Sequence, residues 1–245
     1  EIIDKYPNEK YAYFEIGDML WHNAESEKSI DYFKKSLALD PTFEFSIQHL
    51  SWAYRDVDMH DESIDLANKA LKIYPDKPSY KESQFIAYRY AGKFKEYFSL
   101  ARDLEESEVK ILNPDRIFGD GYLISGDYDN AKEKYLKLLS NDETETTGLY
   151  KLKEHSLYRG DYEKYIFYSD KILQKFFEED NNRSYVNELA RRAFVLAFTF
   201  DKMKDSNRIL NEIDVFFNDK AKNIRIDNLS LASRLLLLEA YAIHG

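Results

Sequence analysis

From residue 122 the chain reads Tyr122-Leu123-Ile124-Ser125-Gly126-Asp127-Tyr128. An apolar stretch ends on glycine, and a charged residue and an aromatic follow at once. Glycine there supplies the left-handed backbone that closes a helix, and the aromatic two residues on can pack back between that helix and the next. One interval of 34 residues earlier stand Tyr88 and Gly92-Lys93-Phe94, and one interval later stands Gly160-Asp161-Tyr162. Tyr54 extends the tyrosine series, and Pro7, Pro41 and Pro75 keep the same spacing. Three residue types in one phase, from Pro7 to Gly160 without an insertion, mark a repeat protein before any local structure is assigned.

Within a period the apolar positions keep helical rhythm. Tyr13, Ile16 and Leu20 follow one another at three- and four-residue spacing, and so do Ile30, Phe33 and Leu37. Asp40-Pro41 then stops the second helix, since proline lacks an amide hydrogen and disfavours helical geometry in the residue before it. Each period therefore predicts two helices joined by a tight turn. Composition agrees: among 245 residues there are only 8 Gly and 5 Pro, about 5% against a usual 12%, too little turn chemistry for a sandwich, barrel or propeller. A hydrophobic fraction of 44%, with 20 Tyr and 16 Phe, argues against disorder.

Charge and cysteine content narrow the function classes. A net charge of −10 works against nucleic acid, whose binding begins with a basic face, and against an anionic membrane surface. No run of about 18 apolar residues is present to insert in a membrane, and Glu1-Ile2-Ile3-Asp4-Lys5-Tyr6 is unlike a signal peptide. The expectation is a soluble, cytoplasmic protein, with a periplasmic setting also compatible. Zero cysteines remove disulfides and thiolate chemistry. Abundant Lys, Asn, Ile and Tyr hint at an AT-rich microbial, bacterial genome.

These residues resemble the tetratricopeptide repeat (TPR) family. The first complete unit matches its pattern with Tyr13, Ile16-Gly17, Leu20, Ser29, Phe33, Ser36 and Pro41. The second gives Ile47, Leu50-Ser51, Tyr54, Ser63, Ala67, Ala70 and Pro75; the fourth gives Phe118-Gly119, Tyr122, Gly126, Ala131, Tyr135 and Leu138. The third keeps Tyr88, Gly92 and Ala101 but departs at Lys81 and Phe85, and the fifth has Leu149, Leu152, Gly160 and Ile172 with departures at Lys153 and Ser156. Phe85 and Lys153 stand where small residues let paired helices approach, so wider packing is expected there.

The resemblance implies an all-α fold, a right-handed α-α superhelix or TPR-like solenoid of helix-turn-helix repeats. Its expected divisions are the end of a preceding helix at 1–9, then repeats at 10–43, 44–77, 78–111, 112–145 and 146–179. A divergent sixth at 180–228 carries an insertion that puts Phe200 at the turn, with Leu189, Ala193 and Leu196 before it and Ile209, Leu210 and Ile213 after it. A truncated seventh covers 229–245, where Tyr241 and Gly245 repeat the spacing of Tyr122 and Gly126. Both ends look unfinished, so the expectation is a fragment of a longer repeat protein, with a helix cap made by the native termini as the alternative. Missing sequence, or a second copy of the chain through the terminal helices, would cover the Leu235–Leu238 run.

Catalytic chemistry finds no constellation. His22, His49, His60, His155 and His244 never form a metal-ligating spacing on one helical face, so neither metal nor cofactor is expected. Gly119-Asp120-Gly121 sits in a helical pattern at a tight-packing position, not in a phosphate-binding loop. Asp127-Tyr128-Asp129-Asn130 lacks the glycine and glutamate that a calcium loop needs and reads as a solvated turn. No catalytic residue is assigned and no enzyme is expected.

Function is expected in the concave groove, which the first helix of each repeat lines. By resemblance the lining is Tyr11, Phe14, Asp18, Trp21 and His22, then Phe45, Gln48, His49, Trp52, Arg55 and Asp56. It continues through Glu82, Ile86, Arg89 and Tyr90, through Arg116, Asp120 and Leu123, and through Tyr150, Lys151, Glu154 and Tyr158. Phe14, Trp21, Phe45 and Trp52 would form an aromatic patch for apolar side chains of a peptide or helix, or pack on neighbouring helices. Arg55, Arg89 and Arg116 could pair with a partner's carboxylate, or be neutralised by Asp56, Glu82 and Asp120. The family's Lys-and-Asn carboxylate clamp is absent, with Phe14 and Asp18 at its first two positions. The expected function is a non-catalytic protein-protein interaction scaffold. Alternatives are a regulatory or sensor region of a larger bacterial kinase, cyclase or transcription regulator, and small-ligand binding in the groove.

Overall fold

A computed structural model describes residues 2–106, 112–219 and 229–244. The described residues are helical with short turns between, and they form two compact units, Glu1–Gly126 and Asp127–Gly245. The first unit holds α1 (Ile2–Lys5), α2 (Lys10–His22), α3 (Ser26–Leu39), α4 (Glu44–Asp56), α5 (His60–Ile73), α6 (Pro78–Tyr90), α7 (Phe94–Glu106) and α8 (Pro114–Ser125). The second holds α9 (Tyr128–Leu138), α10 (Asp142–Tyr158), α11 (Tyr162–Glu178), α12 (Asn182–Phe198), α13 (Met203–Asn218) and α14 (Leu231–His244). The all-α architecture of stacked helix pairs is the one the period implies.

Helix ends follow local chemistry. Pro78 and Pro114 occupy first-turn positions, where a missing amide hydrogen costs nothing, and Asn113 accepts from the Arg116 amide as an N-cap. Asp127, in the stretch that superficially suggests a calcium loop, is such a cap too, accepting from the backbone N–H of Asn130 at 3.3 Å and from its side chain at 2.7 Å. At the other ends, Gly126 closes α8 with φ of 86°. The same left-handed conformation recurs in phase at Ala24 (61°) and Asp58 (58°), where this sequence has no glycine. A Cβ in that region costs about 1–2 kcal/mol. Ala24→Gly is expected to raise the stability of the first unit by about 0.5–1 kcal/mol, the entropic cost of glycine taking back part of the gain; urea titration followed at α2 and α3 checks it.

The small residues let helices meet. A Cβ on Gly17 would lie 2.7 Å from Phe33 Cε1, and one on Gly121 would lie 2.5 Å from Tyr97 Cε1, so these glycines are required by close approach. Phe33, Tyr97, Tyr135 and Tyr165 are fully buried. Phe85, a departure from the pattern, packs edge-on against Tyr97 at 5.2 Å.

In the second unit two features differ from expectation. α10 begins at Asp142, capped by Asn141, ahead of the period's boundary at 146. After α12 the left-handed residue is Asp201 (φ 52°), not Phe200, whose ring instead packs between Tyr162 at 5.5 Å and Tyr165 at 5.6 Å. Leu189, Ala193, Leu196, Ile209, Leu210 and Ile213 form the core with Leu237 and Ala240 of α14. Leu235 and Leu238 on that helix are exposed. Gly245 and the 220–228 part of the sixth expected repeat lie outside the described residues.

Candidate functional site

In the first unit, the face made by α2, α4 and α6 gathers most of the expected lining. Its centre is a pair of indoles, Trp21 and Trp52, stacked at 5.3 Å with 30° between planes. Asp56, on the last turn of α4, fixes the Trp21 ring by accepting from Nε1 at 2.7 Å, and it also accepts from Ser26 Oγ at 3.1 Å. His49 lies against Trp52 at 4.7 Å and edge-on to Trp21 at 5.8 Å. Its Nδ1 is 2.9 Å from the Phe45 carbonyl, which can only accept, so Nδ1 carries the proton. Asp18 Oδ1 sits 3.1 Å from His49 Nε2 and 3.3 Å from His22 Nδ1, without hydrogen-bond geometry.

Around this centre the rings divide by depth. Phe45 and Tyr11 are about half exposed, Tyr11 standing edge-on to Phe43 at 4.8 Å. Phe14 is buried, so it is not groove lining: Phe33, Phe43, Phe45 and His49 surround it at 5.1 to 6.0 Å. It holds the patch up from below. Phe43 is the ring the sequence reading missed. It lies just ahead of α4 and is buried at 6% exposure, and its only signal was an aromatic two residues after Pro41.

Between α4 and α6 lies a cavity of about 260 Å³. Gln48, Trp52, Arg55, Glu82 and Ile86 line it, joined by Lys77 and Tyr80, which the sequence reading did not place there. Lys77 is paired with Glu44, and Glu82 with Arg116 at 2.9 Å. Arg116 also has Asp120 at 3.8 Å, so this arginine is neutralised within the protein. Arg55 and Arg89 differ: neither has an ion-pair partner among the described residues. Burial pushes the Arg55 guanidinium below its ordinary value, and Arg89 adds to that by like-charge repulsion. Arg89 lies over the exposed Tyr90 ring at 5.5 Å.

The remaining expected residues do not join a common surface of this kind. Asp120 and Leu123 are buried in α8. In the second unit, Lys151 is paired with Glu154 at 3.2 Å, and Tyr158 is exposed. The Tyr150 hydroxyl is pushed up to about 12, chiefly by burial, and its ring lies 4.7 Å from the Lys153 ammonium.

Comparison with known proteins agrees with this architecture. Residues 11–43 match the family model of the tetratricopeptide repeat. One segment of the chain thus matches the tetratricopeptide repeat by sequence, within an all-α fold of TPR-like helix pairs. A tetratricopeptide repeat protein from Parabacteroides merdae superposes with a TM-score of 0.54 at 10% identity, covering 94% of this chain and 84% of its own. YrrB, a TPR protein with an unusual peptide-binding site, gives 0.43 at 17% identity over 70% of this chain and 89% of its own. The Cut9–Hcn1 hetero-tetramer of APC/C gives 0.49 at 12% identity over 98% of this chain and 44% of that one. No curated protein matches the sequence. Among the described residues no helix is long and apolar enough to cross a membrane.

Proposed function

We propose that the chain is a non-catalytic protein-interaction scaffold whose first unit binds a peptide or helix across α2, α4 and α6. The observation that carries this reading is the Trp21–Trp52 stack, held rigid by Asp56 and His49 beside the α4–α6 cavity. Fixed aromatics lose little entropy on binding and are the usual anchors of interface energy. An apolar side chain of the partner packs on Trp52 and Phe45. Arg55 and Arg89, neither in a close ion pair among the described residues, receive a carboxylate, because an anion offsets the burial and like-charge repulsion that the nearby Asp56 offsets only in part.

The test is peptide selection on the immobilised protein, followed by affinity measurement on Trp52→Ala. Trp52 is partly exposed, so the variant stays folded. Loss of a central aromatic anchor costs about 2 kcal/mol or more, a roughly thirtyfold rise in Kd. Selected peptides that bind the variant as tightly as the wild type overturn the reading.

A further inference from the structure

A second site lies in the first unit away from the aromatic face. Between α3, α4 and α5 the structure encloses an open cavity of about 630 Å³, within the size range of small-molecule sites. Its floor is aliphatic: Leu37 of α3, Ile47 and Leu50 of α4, and Leu66, Ala70 and Ile73 of α5. Tyr54 supplies the one ring, and the Lys34 ammonium already lies over it at 5.5 Å. A planar aromatic guest has nothing to stack on there, whereas a flexible alkyl chain meets methyl and methylene groups along the whole length.

The charges at the rim are sorted by position. Glu62 and Asp65 stand in the first half of α5 and Lys69 and Lys72 in the second, so Glu62 and Lys72 are about 15 Å apart at 1.5 Å per residue. Neither lysine has an ion-pair partner among the described residues, although Glu25, Glu44, Asp40, Asp61 and Asp161 all hold lysines elsewhere. Two free ammonium groups at one end of an apolar trough, with carboxylates at the other, set a direction for an occupant. The geometry points to a binding site for a single-chain amphiphile with an anionic head, of fatty-acid type. Its chain lies on Leu37, Leu66 and Ile73, and its carboxylate pairs with Lys69 and Lys72. This site uses no residue of the aromatic face and does not depend on the peptide reading.

Laurate is the probe, used below its micelle concentration, with dodecanol and dodecyltrimethylammonium as uncharged and cationic counterparts. Amide exchange of the whole chain is the readout. Laurate slows exchange in α3, α4 and α5, dodecanol does so about tenfold more weakly, and the cation does not. Tryptophan emission stays unchanged, because neither Trp21 nor Trp52 lines this cavity. Charge reversal in Lys69→Glu/Lys72→Glu, at two exposed positions, weakens laurate by about tenfold or more. Ala38→Trp, on the exposed side of α3, fills the trough and abolishes protection while the circular dichroism is retained. The proposal is overturned if laurate gives no protection, if the cationic probe protects equally, if Ala38→Trp binds as the wild type does, or if protection appears on α2 with a change in tryptophan emission. It is overturned equally if an amphipathic helical peptide protects α3 to α5 and laurate does not.

Discussion

Replacing Lys153 by alanine is expected to lower the stability of the second unit by about 3–5 kcal/mol. Lys153 Nζ donates to both carboxylate oxygens of Glu188 at 2.6 Å, and Ser169 Oγ donates to one of them at 2.9 Å. Three helices, α10, α11 and α12, thus meet on one carboxylate. The Glu188 side chain is wholly buried and that of Lys153 nearly so. Burial pushes the ammonium below its ordinary value while Glu188 holds it charged, so each ion is tolerable only because of the other. Alanine at 153 leaves the carboxylate buried with a single hydroxyl donor. The pair itself is a different matter from its rupture. Taking both charges out of water costs about what their attraction returns, so Lys153→Met/Glu188→Leu is expected to match the wild type or exceed it by about 1–4 kcal/mol. Because the chain has two compact units, a single melting temperature is not the right readout. Amide exchange in α10 and α12 under urea isolates the effect. A loss below about 1 kcal/mol for Lys153→Ala rules out a paired, desolvated Lys153.

That pair shows where the sequence stops being legible. A lysine in place of a small residue reads as a departure from the repeat pattern, and its partner lies 35 residues away on a helix beyond the reach of the regular period. Periodicity reports which face a residue is on, not what it meets there. The fold class was legible because glycine, proline and tyrosine mark turns whose backbone needs are local. The turn at Ala24 and Asp58 was less so, since those residues adopt the left-handed form without the glycine that announces it. Counting by the period puts Phe200 at the turn, and Asp201 takes it because its short polar side chain tolerates that region better than an aromatic does. In the candidate site, the positions of Trp21, Trp52 and Arg55 follow from the resemblance to the repeat family and its groove-facing positions. The burial of Phe14 does not, because it depends on Phe43 and Phe45 folding over it from the start of α4. The pairing of Arg116 with Glu82 is foreseeable from proximity.

The core beneath the aromatic face gives the second large effect. Phe33→Ala is expected to destabilise the first unit by about 3–5 kcal/mol, the usual cost of removing a fully buried aromatic. It is also expected to weaken peptide capture, although Phe33 is inaccessible. The ring stands 6.0 Å from Phe14 and 5.8 Å from His49, the two groups that support Phe45 and Trp52 from below. Emptying that volume leaves α2 and α4 free to settle toward each other, which shears the indole stack. Gly17 makes the geometry testable. With Phe33 present, Gly17→Ala drives a methyl to within 2.7 Å of the ring and costs about 1–3 kcal/mol. With Phe33→Leu the edge of the ring is gone, and the same methyl fills space instead of colliding. The two substitutions together therefore cost less than the sum of each alone, by about 1 kcal/mol or more. Denaturation followed by amide exchange in α2 and α3 measures all four corners of that cycle. Additive costs break the argument that close approach of α2 to α3, enforced at Gly17 and Phe33, sets the spacing on which the aromatic site depends.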